Sequence, residues 1–279
     1  MSGRIVVGVV DSAASERALE WAAARARARK SPLLLVTVVG GSVGAVGEGP
    51  VVEGAISAAS TLLVEHATGL RASGIEVDTV VLRGDPVRQL VSATSDAQLL
   101  VIGSDFQGDA GGPRRGVHGL RIVAGASCPV VVVPDIDLEG RNGVVVGVDG
   151  SPTSEGAVAF AAAEADRLGQ PLVAIAVWTP LVAPRNPMVY PQQYLASMQA
   201  LTEEALAVSL AGLRQTYPDL DIQARAERGY PSQVINSAAS GAVLTVVGSH
   251  GRGPVARFLL GSISHEVLSA LAAPTVVVR

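Results

Sequence analysis

Short apolar runs rich in Val, Ile and Leu alternate along the chain with longer stretches in which Ala and Leu recur at helical spacing. The runs with the clearest strand pattern are 5–10, 33–39, 130–133, 144–148, 172–177 and 275–278. One helix is predicted to begin near Ser15 and another to cover 157–168. Strands alternating with helices in this way indicate mostly parallel sheets that carry helices on both faces.

The second half of the chain repeats the first. Matched positions are Gly8 and Gly147, Pro32 and Pro171, Gly103 and Gly248, Gly116 and Gly261, and Pro129 and Pro274. The duplication predicts an α/β protein with two tandem domains, 1–137 and 143–279, joined by the short linker 138–142. Each is expected to be a doubly wound, Rossmann-like parallel sheet of five strands. The segments 40–50 and 179–191 differ between the halves and either cover a ligand or form long surface connections.

A glycine-rich loop from Gly248 to Ser262 lies between the apolar run 243–247 and a predicted helix. The first N–H groups of a helix have no intrahelical partners and stand at the positive end of its dipole, so they attract anions such as phosphate. Glycine allows a sharp turn and a close approach to a ligand. Ser262 and Ser264 offer hydroxyls to a phosphate or to the helix cap. Glycines at strand ends also serve as plain turns, and this alternative stays open.

The composition supports an α/β fold and gives no sign of a nucleic-acid partner. Hydrophobic residues make up 48% of the chain and aromatic residues 3%, so the cores depend on aliphatic side chains, as in parallel sheets. The formal charge of −4, with no basic arm, gives no reason to expect nucleic-acid binding. Arg25, Arg27, Arg29 and Lys30 are expected at the end of a helix. We find no secretion signal and no apolar stretch of membrane-spanning length, and we expect a cytoplasmic protein.

No catalytic set is evident in the sequence. Cys128 is the single cysteine, which excludes an intramolecular disulfide, and it is expected to be a buried apolar residue. The four histidines, His66, His118, His250 and His265, do not fall at paired metal-ligand spacing. The chain has no Gly-x4-Gly-Lys-Ser/Thr loop, and its one lysine, Lys30, is far from Gly248 in sequence.

These residues resemble the universal stress protein family, and the duplication resembles its tandem-domain members. The family motif Gly-x2-Gly-x9-Gly-Ser/Thr is complete at Gly248, Gly251, Gly261 and Ser262, and the first-strand aspartate is present as Asp149. The resemblance covers essentially the whole chain. It implies a fold of the adenine nucleotide α-hydrolase-like type that binds ATP. Asp149 offers one carboxylate to a Mg²⁺ ion that accompanies the nucleotide, and no other metal is expected. It also implies that the last strands pair across the two halves, related by a pseudo-two-fold axis.

The resemblance assigns nucleotide-binding roles to positions in both halves. In the second half they are Asp149, Gly150, Ser151, Val177, Gly248, Ser249, Gly251, Arg252, Gly261, Ser262, Ile263 and Ser264. The weaker counterparts in the first half are Asp11, Val38, Gly103, Gly108, Arg115, Gly116 and Val117. Asp149 and the backbone near Val177 would hold ribose and adenine, and the glycine loop would hold the phosphates. His250 and Arg252 are further candidates for the phosphate end.

The first half departs from the family motif. Phe106 stands where the second glycine belongs, Val117 replaces the phosphate-binding hydroxyl, and Val10 replaces the aspartate. Asp105 and Asp109 add negative charge near the expected phosphate, which is unfavourable. The basic residues Arg114, Arg115 and His118 favour binding instead. We therefore predict that the second half binds ATP and the first half binds it weakly or not at all.

Three functions are compatible with the sequence. The first is a nucleotide-binding regulatory protein without robust catalysis, acting on an unidentified protein partner. The second is a slow ATP hydrolase, and the third is a dimerisation scaffold that has lost nucleotide in both halves. The intact Gly248 motif disfavours the third. A homodimer of tandem chains is implied by resemblance.

Overall fold

The computed structural model describes residues 3–40, 49–104, 117–181, 190–251 and 259–279. The chain divides into two compact units, Met1–Asp137 and Leu138–Arg279. Both are α/β units built on parallel strands. The predicted alternation of strands and helices is confirmed in each.

In its described residues the first unit alternates strands and helices. Its elements are β1 (Arg4–Gly8), α1 (Ala13–Arg29), β2 (Leu33–Val39), α2 (Gly49–Ala72), β3 (Val77–Arg83), α3 (Pro86–Ser92), β4 (Ala97–Ser104), α4 (Val117–Gly125) and β5 (Val130–Pro134). The strands are parallel and lie in the order β3-β2-β1-β4-β5. The order reverses beside β1, which starts the chain yet lies at the centre of the sheet.

The second unit repeats this topology with one addition, the short helix α7. Its elements are β6 (Val144–Val148), α5 (Pro152–Leu168), β7 (Leu172–Trp178), α6 (Gln192–Ser209), α7 (Leu213–Thr216), β8 (Ile222–Arg228), α8 (Pro231–Ala239), β9 (Leu244–Gly248), α9 (Ser262–Ala270) and β10 (Thr275–Val278). The parallel strands follow the order β8-β7-β6-β9-β10, so β6 is the counterpart of β1. The reversal therefore falls between β6 and β9.

Most strand predictions agree with the structure, and the first is too long. The strands predicted at 33–39, 144–148 and 275–278 have those bounds, whereas the strand predicted at 5–10 ends at Gly8 and keeps one further bond to the sheet, from the Val9 N–H to the Val36 carbonyl. The backbone turns there because the Val10 N–H donates to Ser15 Oγ at 3.0 Å rather than to a neighbouring strand.

Side-chain caps place two helix starts earlier than the apolar pattern indicated. Ser12 caps α1 and Ser151 caps α5, each accepting from the N–H three residues ahead at 3.2 Å. A third helix, α2, begins at Gly49 inside the segment 40–50 that was predicted as a loop. Its second residue, Pro50, suits a first helical turn because the N–H it lacks would have no helical partner.

The cores are aliphatic, as the composition predicted. Strands β5, β6, β9 and β10 are almost entirely buried Val, Leu and Thr, and Cys128 is a buried apolar residue. The basic residues Arg27 and Arg29 occupy the last turn of α1. In the described part of the chain, no helix is both long and apolar enough to cross a membrane.

Candidate functional site

The turn after β6 carries a carboxylate held in a fixed position. Asp149 Oδ1 accepts hydrogen bonds from the Ser151 N–H at 2.9 Å and from the Ser151 hydroxyl at 2.6 Å. Its own N–H donates to Ser154 Oγ at 3.1 Å. Gly150 sits between them with a φ of 74°, a left-handed conformation that favours glycine. The exposed Asp149 side chain is thereby fixed at the carboxyl end of β6.

The segment after β9 is tied to its surroundings at three points. The Gly261 N–H donates to the Ser249 carbonyl at 2.8 Å, and the Ser264 hydroxyl donates to the Gly248 carbonyl at 2.5 Å. Thr153 Oγ1 donates to the His250 carbonyl at 2.6 Å. These bonds join the end of β9 to the start of α9 and to the first turn of α5. Because β6 and β9 are parallel neighbours, Asp149 and the glycine segment share one edge of the sheet.

A cavity of about 330 Å³ opens at this edge, which is the topological switch point where doubly wound sheets bind ligands. One wall is aliphatic, another is glycine-rich, and the start of α9 closes a third side. The lining residues are Gly147, Val148, Asp149, Ser154, Ile175, Val177, Pro231, Ile235, Val247, Gly248, His250, Gly251, Gly261, Ser262, Ile263 and Ser264. The volume lies within the range of small-molecule sites.

Close packing explains the glycines of the motif. None of Gly248, Gly251 and Gly261 has a φ in the left-handed region, so it is the missing side chain, and not an unusual backbone conformation, that these positions require. A Cβ on Gly251 would lie 2.7 Å from Asp149 Oδ2. A Cβ on Gly261 would lie 3.2 Å from the Ser249 carbonyl oxygen. Side chains at these positions would close the gap between the carboxylate and the start of α9.

The start of α9 presents backbone donors. Its N-cap is Gly261, which provides no side-chain hydrogen bond, so of the two alternatives for Ser262 and Ser264, a phosphate contact or a helix cap, the cap is not formed. Ser262 and Ile263 line the cavity as the first helical residues, and N–H groups in the first turn have no intrahelical acceptor. Ser264 also lines the cavity, but its hydroxyl donates to the Gly248 carbonyl instead of being free to donate to a ligand.

The structure gathers most of the predicted second-half residues around the cavity. Asp149, Val177, Gly248, Gly251, Gly261, Ser262, Ile263 and Ser264 line it. Gly150, Ser151 and Ser249 do not, and they act in support: Gly150 makes the turn, Ser151 fixes Asp149, and the buried Ser249 hydroxyl bonds to the His250 ring. Arg252 lies outside the described residues.

Sequence reasoning missed the aliphatic wall. Pro231 and Ile235 come from α8, and Gly147, Val148, Ile175 and Val247 come from strands. The Ile235 side chain packs on Gly147, where an added Cβ would meet Ile235 Cδ1 at 2.8 Å. The repeated Arg-Gly-x-Pro pattern at 228–231 was a usable signal, because it marks the same strand-to-helix junction in both halves.

In the first unit the turn after β1 forms the same backbone hydrogen bond as the turn after β6, but it has no carboxylate at the position of Asp149. Val10, which is 55% exposed, takes the place of Asp149. Its N–H donates to the Ser15 hydroxyl oxygen, and the Asp149 N–H donates to the Ser154 hydroxyl oxygen in the same way. Asp11 is exposed at the position of Gly150, and Val38 is partly buried in β2. A Cβ on Gly103 would lie 2.5 Å from the Ala14 carbonyl, so close packing of β4 against α1 explains this glycine.

Of the remaining residues of the first half that were predicted to bind nucleotide, most lie outside the described part of the chain. Gly108, Arg115 and Gly116 lie outside the described residues, and Val117 is described only as the first residue of α4. No group of three or more metal-ligating side chains occurs in the part of the chain that the structure describes.

Comparison with known proteins identifies the family. The model of the universal stress protein family matches residues 1–134 and 141–279. A universal stress protein of Mycolicibacterium smegmatis is 35% identical over 289 aligned positions, covering 99% of this chain and 96% of that protein. One from Mycobacterium tuberculosis is 33% identical with the same coverage. The crystal structure of a universal stress protein from Archaeoglobus fulgidus, 19% identical, has the same fold, with a TM-score of 0.72 and coverage of 100% of this chain and 99% of that one. The chain therefore belongs to the universal stress protein family and carries the family domain twice.

Proposed function

We propose that the second unit binds an adenine nucleotide, with ATP as the expected ligand, and that the protein is a nucleotide-dependent regulator of stress responses. One observation carries the proposal. The cavity at the β6–β9 edge places the Asp149 carboxylate, a glycine-lined gap and the start of α9 around one space. Nucleotides need these three features together: an acceptor for ribose hydroxyls, room for the phosphates and donors for their oxygens.

The chemistry of the lining fits each part of the ligand. Ile175, Val177 and Ile235 form an apolar surface suited to a base, and the fixed Asp149 carboxylate suits the ribose hydroxyls. The uncapped first turn of α9 and the adjoining glycines suit the phosphates. If a Mg²⁺ ion accompanies ATP, Asp149 is the carboxylate in the described lining that would hold it, and the ion would neutralise phosphate charge.

Binding without efficient turnover fits these residues best. Phosphoryl transfer to water needs a group that orients the attacking water and charges that stabilise the transferring phosphoryl group. In the described lining the ionisable side chains are Asp149 and His250, and no lysine or arginine joins them. A slow hydrolase is the second candidate, favoured by the one carboxylate at the ligand edge. The cytoplasmic location, the homodimer and the protein partner stay predictions.

The proposal places one nucleotide site in each chain. Asp149 has no acidic equivalent at Val10, and the sequence puts Phe106 where Gly251 leaves room beside the carboxylate. Both changes remove features on which the second-unit site depends. The first unit is therefore expected to contribute structure rather than a second tight site.

The test is to purify the full chain, denature it and identify any released adenine nucleotide by mass spectrometry. Gly261→Glu should abolish retention, because its side chain would fill the space beside Ser249 and bring negative charge to the expected phosphate. Gly241→Glu is the matched control, since nothing lies within 4 Å of a Cβ built there and Gly241 is exposed. Full retention by Gly261→Glu contradicts the proposed phosphate position, and failure of the native chain to bind added ATP contradicts the function.

A further inference from the structure

The Thr153 side chain joins the start of α5 to the segment after β9. Its hydroxyl donates to the His250 carbonyl at 2.6 Å. Its Cβ and Oγ1 also pack against Gly248, since a Cβ built on that glycine would lie 3.2 Å from each of these two atoms. Thr153 is the second residue of α5, so these contacts attach the segment to the first turn of the helix.

The same helical turn holds the Asp149 carboxylate through a different hydroxyl. Ser151, the N-cap of α5, donates its hydroxyl proton to Asp149 Oδ1 at 2.6 Å. A carbonyl and a carboxylate can only accept, so each of the two hydroxyls commits its single proton to its own partner. The hydroxyl oxygens of Ser151 and Thr153 lie 3.2 Å apart. They act side by side, one on the carboxylate and the other on the segment after β9.

The bond from Thr153 bears on the gap between Asp149 and the segment after β9. The gap is narrow, because a Cβ on Gly251 would lie 2.7 Å from Asp149 Oδ2. Ser249 attaches the segment elsewhere, to β10 through its N–H and to the start of α9 through its carbonyl. The Thr153 hydroxyl supplies a side-chain link on the side of the cavity that carries the carboxylate.

The first half of the chain has no hydroxyl at this position. Ala14 stands in the place of Thr153 when Gly8 is aligned with Gly147. Ala14 still packs against β4, since a Cβ on Gly103 would lie 2.5 Å from the Ala14 carbonyl. Close packing of this helix on its neighbouring strand therefore does not require a hydroxyl. The hydroxyl occurs in the half that keeps the carboxylate.

We infer that Thr153 is a positioning residue of the second-unit site. Its hydroxyl holds the segment after β9 at the distance from Asp149 at which one ligand can contact both. This inference rests on the proposed function, in which the ribose meets Asp149 and the phosphates occupy the gap beside it. Thr153 does not line the cavity. It acts through the segment, and it determines how much affinity the phosphates add to that of the nucleoside.

Thr153→Val tests the inference in the full chain, because it keeps the branched side chain and removes the hydroxyl. Without this bond, the ligand must itself order the segment, and the free energy of one hydrogen bond is lost from ATP binding. We expect ATP affinity to fall at least about threefold, while adenosine affinity changes by less than about twofold. Thr153→Ser restores the hydroxyl and should bind ATP to within about twofold of the native chain.

Thr202→Val is the matched control. The Thr202 hydroxyl on α6 also donates to a backbone carbonyl, that of Met198, at 2.8 Å, and Thr202 does not line the cavity. The control loses the same kind of bond in the same unit, and it should bind ATP and adenosine like the native chain.

Titration calorimetry with ATP, and displacement of bound ATP by adenosine, measure the two affinities. A loss of ATP affinity smaller than about threefold in Thr153→Val overturns the inference and leaves the proposed function standing. Equal losses for ATP and adenosine also overturn it, because they indicate a general structural role for the threonine. No ATP binding by the native chain overturns the proposed function, and this inference with it.

Discussion

Replacing Gly251 by alanine is a direct test of the space that the site requires. The new Cβ would lie 2.7 Å from Asp149 Oδ2, where ordinary contacts begin at 3.4 Å. The carboxylate or the loop must therefore move by the difference, about 0.7 Å. The bonds of 2.6 and 2.9 Å from Ser151 hold the other oxygen, Oδ1, and a displacement of the whole carboxylate by this distance would stretch them to or beyond about 3.2 Å, where such bonds weaken.

The size of the effect follows from those bonds. A hydrogen bond to a charged group contributes about 1.5–3 kcal/mol, and the lower end applies because Asp149 is exposed. A loss of about 1.5 kcal/mol corresponds to roughly tenfold weaker binding of ATP. If the loop moves instead, the glycine-lined gap narrows and affinity falls as well.

Isothermal titration of the full chain with ATP measures this loss, and Gly241→Ala is the control. A Cβ at Gly241 meets nothing within 4 Å and its φ lies outside the left-handed region, so this variant should bind ATP like the native chain. Native affinity in Gly251→Ala, to within about twofold, would refute the role assigned to the gap beside Asp149.

Three further predictions follow from the described contacts. Ser151→Ala and Ser12→Ala each remove a helix cap and should each lower the free energy of unfolding by about 1 kcal/mol. Only Ser151→Ala should also weaken ATP binding, because the native Ser151 hydroxyl donates to the Asp149 carboxylate in the site. Equal effects on affinity would contradict this. Gly103→Ala should cost about 1–3 kcal/mol in chemical denaturation through overpacking against α1, and native stability would contradict it. Asp85 caps α3, and the hydrogen bond from the Arg88 N–H lowers the pKa of its carboxyl. The charged cap therefore stabilises the fold fully at pH values above the ordinary pKa, and this stabilisation is lost as the pH falls through the lower pKa of the folded state. An NMR titration midpoint for Asp85 at or above 3.8 would contradict the lowered pKa.

The fold was predictable from the sequence because two independent patterns agree. Aliphatic runs mark the strands, and the duplication repeats their order. A strand whose pattern is weak in one half can therefore be identified from the matching run in the other half. Element ends were less predictable, since they depend on side-chain bonds such as the one from Val10 N–H to Ser15. The short helix α7 has no counterpart between α2 and β3, where the first half is fully described, and it was not anticipated.

The site was predictable where the motif and the topology coincide. Asp149 and Gly248 follow neighbouring parallel strands, and the spacing to Gly261 brings in the start of α9. The wall from Pro231 and Ile235 was missed because apolar residues on α8 resemble ordinary core. The bond from the Ser264 hydroxyl to the Gly248 carbonyl depends on a three-dimensional contact that residue spacing does not encode.

The stoichiometry of ATP binding to the full-length chain tests the central claim most directly. Titration calorimetry of the native protein should give one ATP per chain, and Gly261→Glu should reduce that number to zero. Two equivalent sites per chain, or one site that persists in Gly261→Glu, would contradict the assignment of nucleotide binding to the second unit.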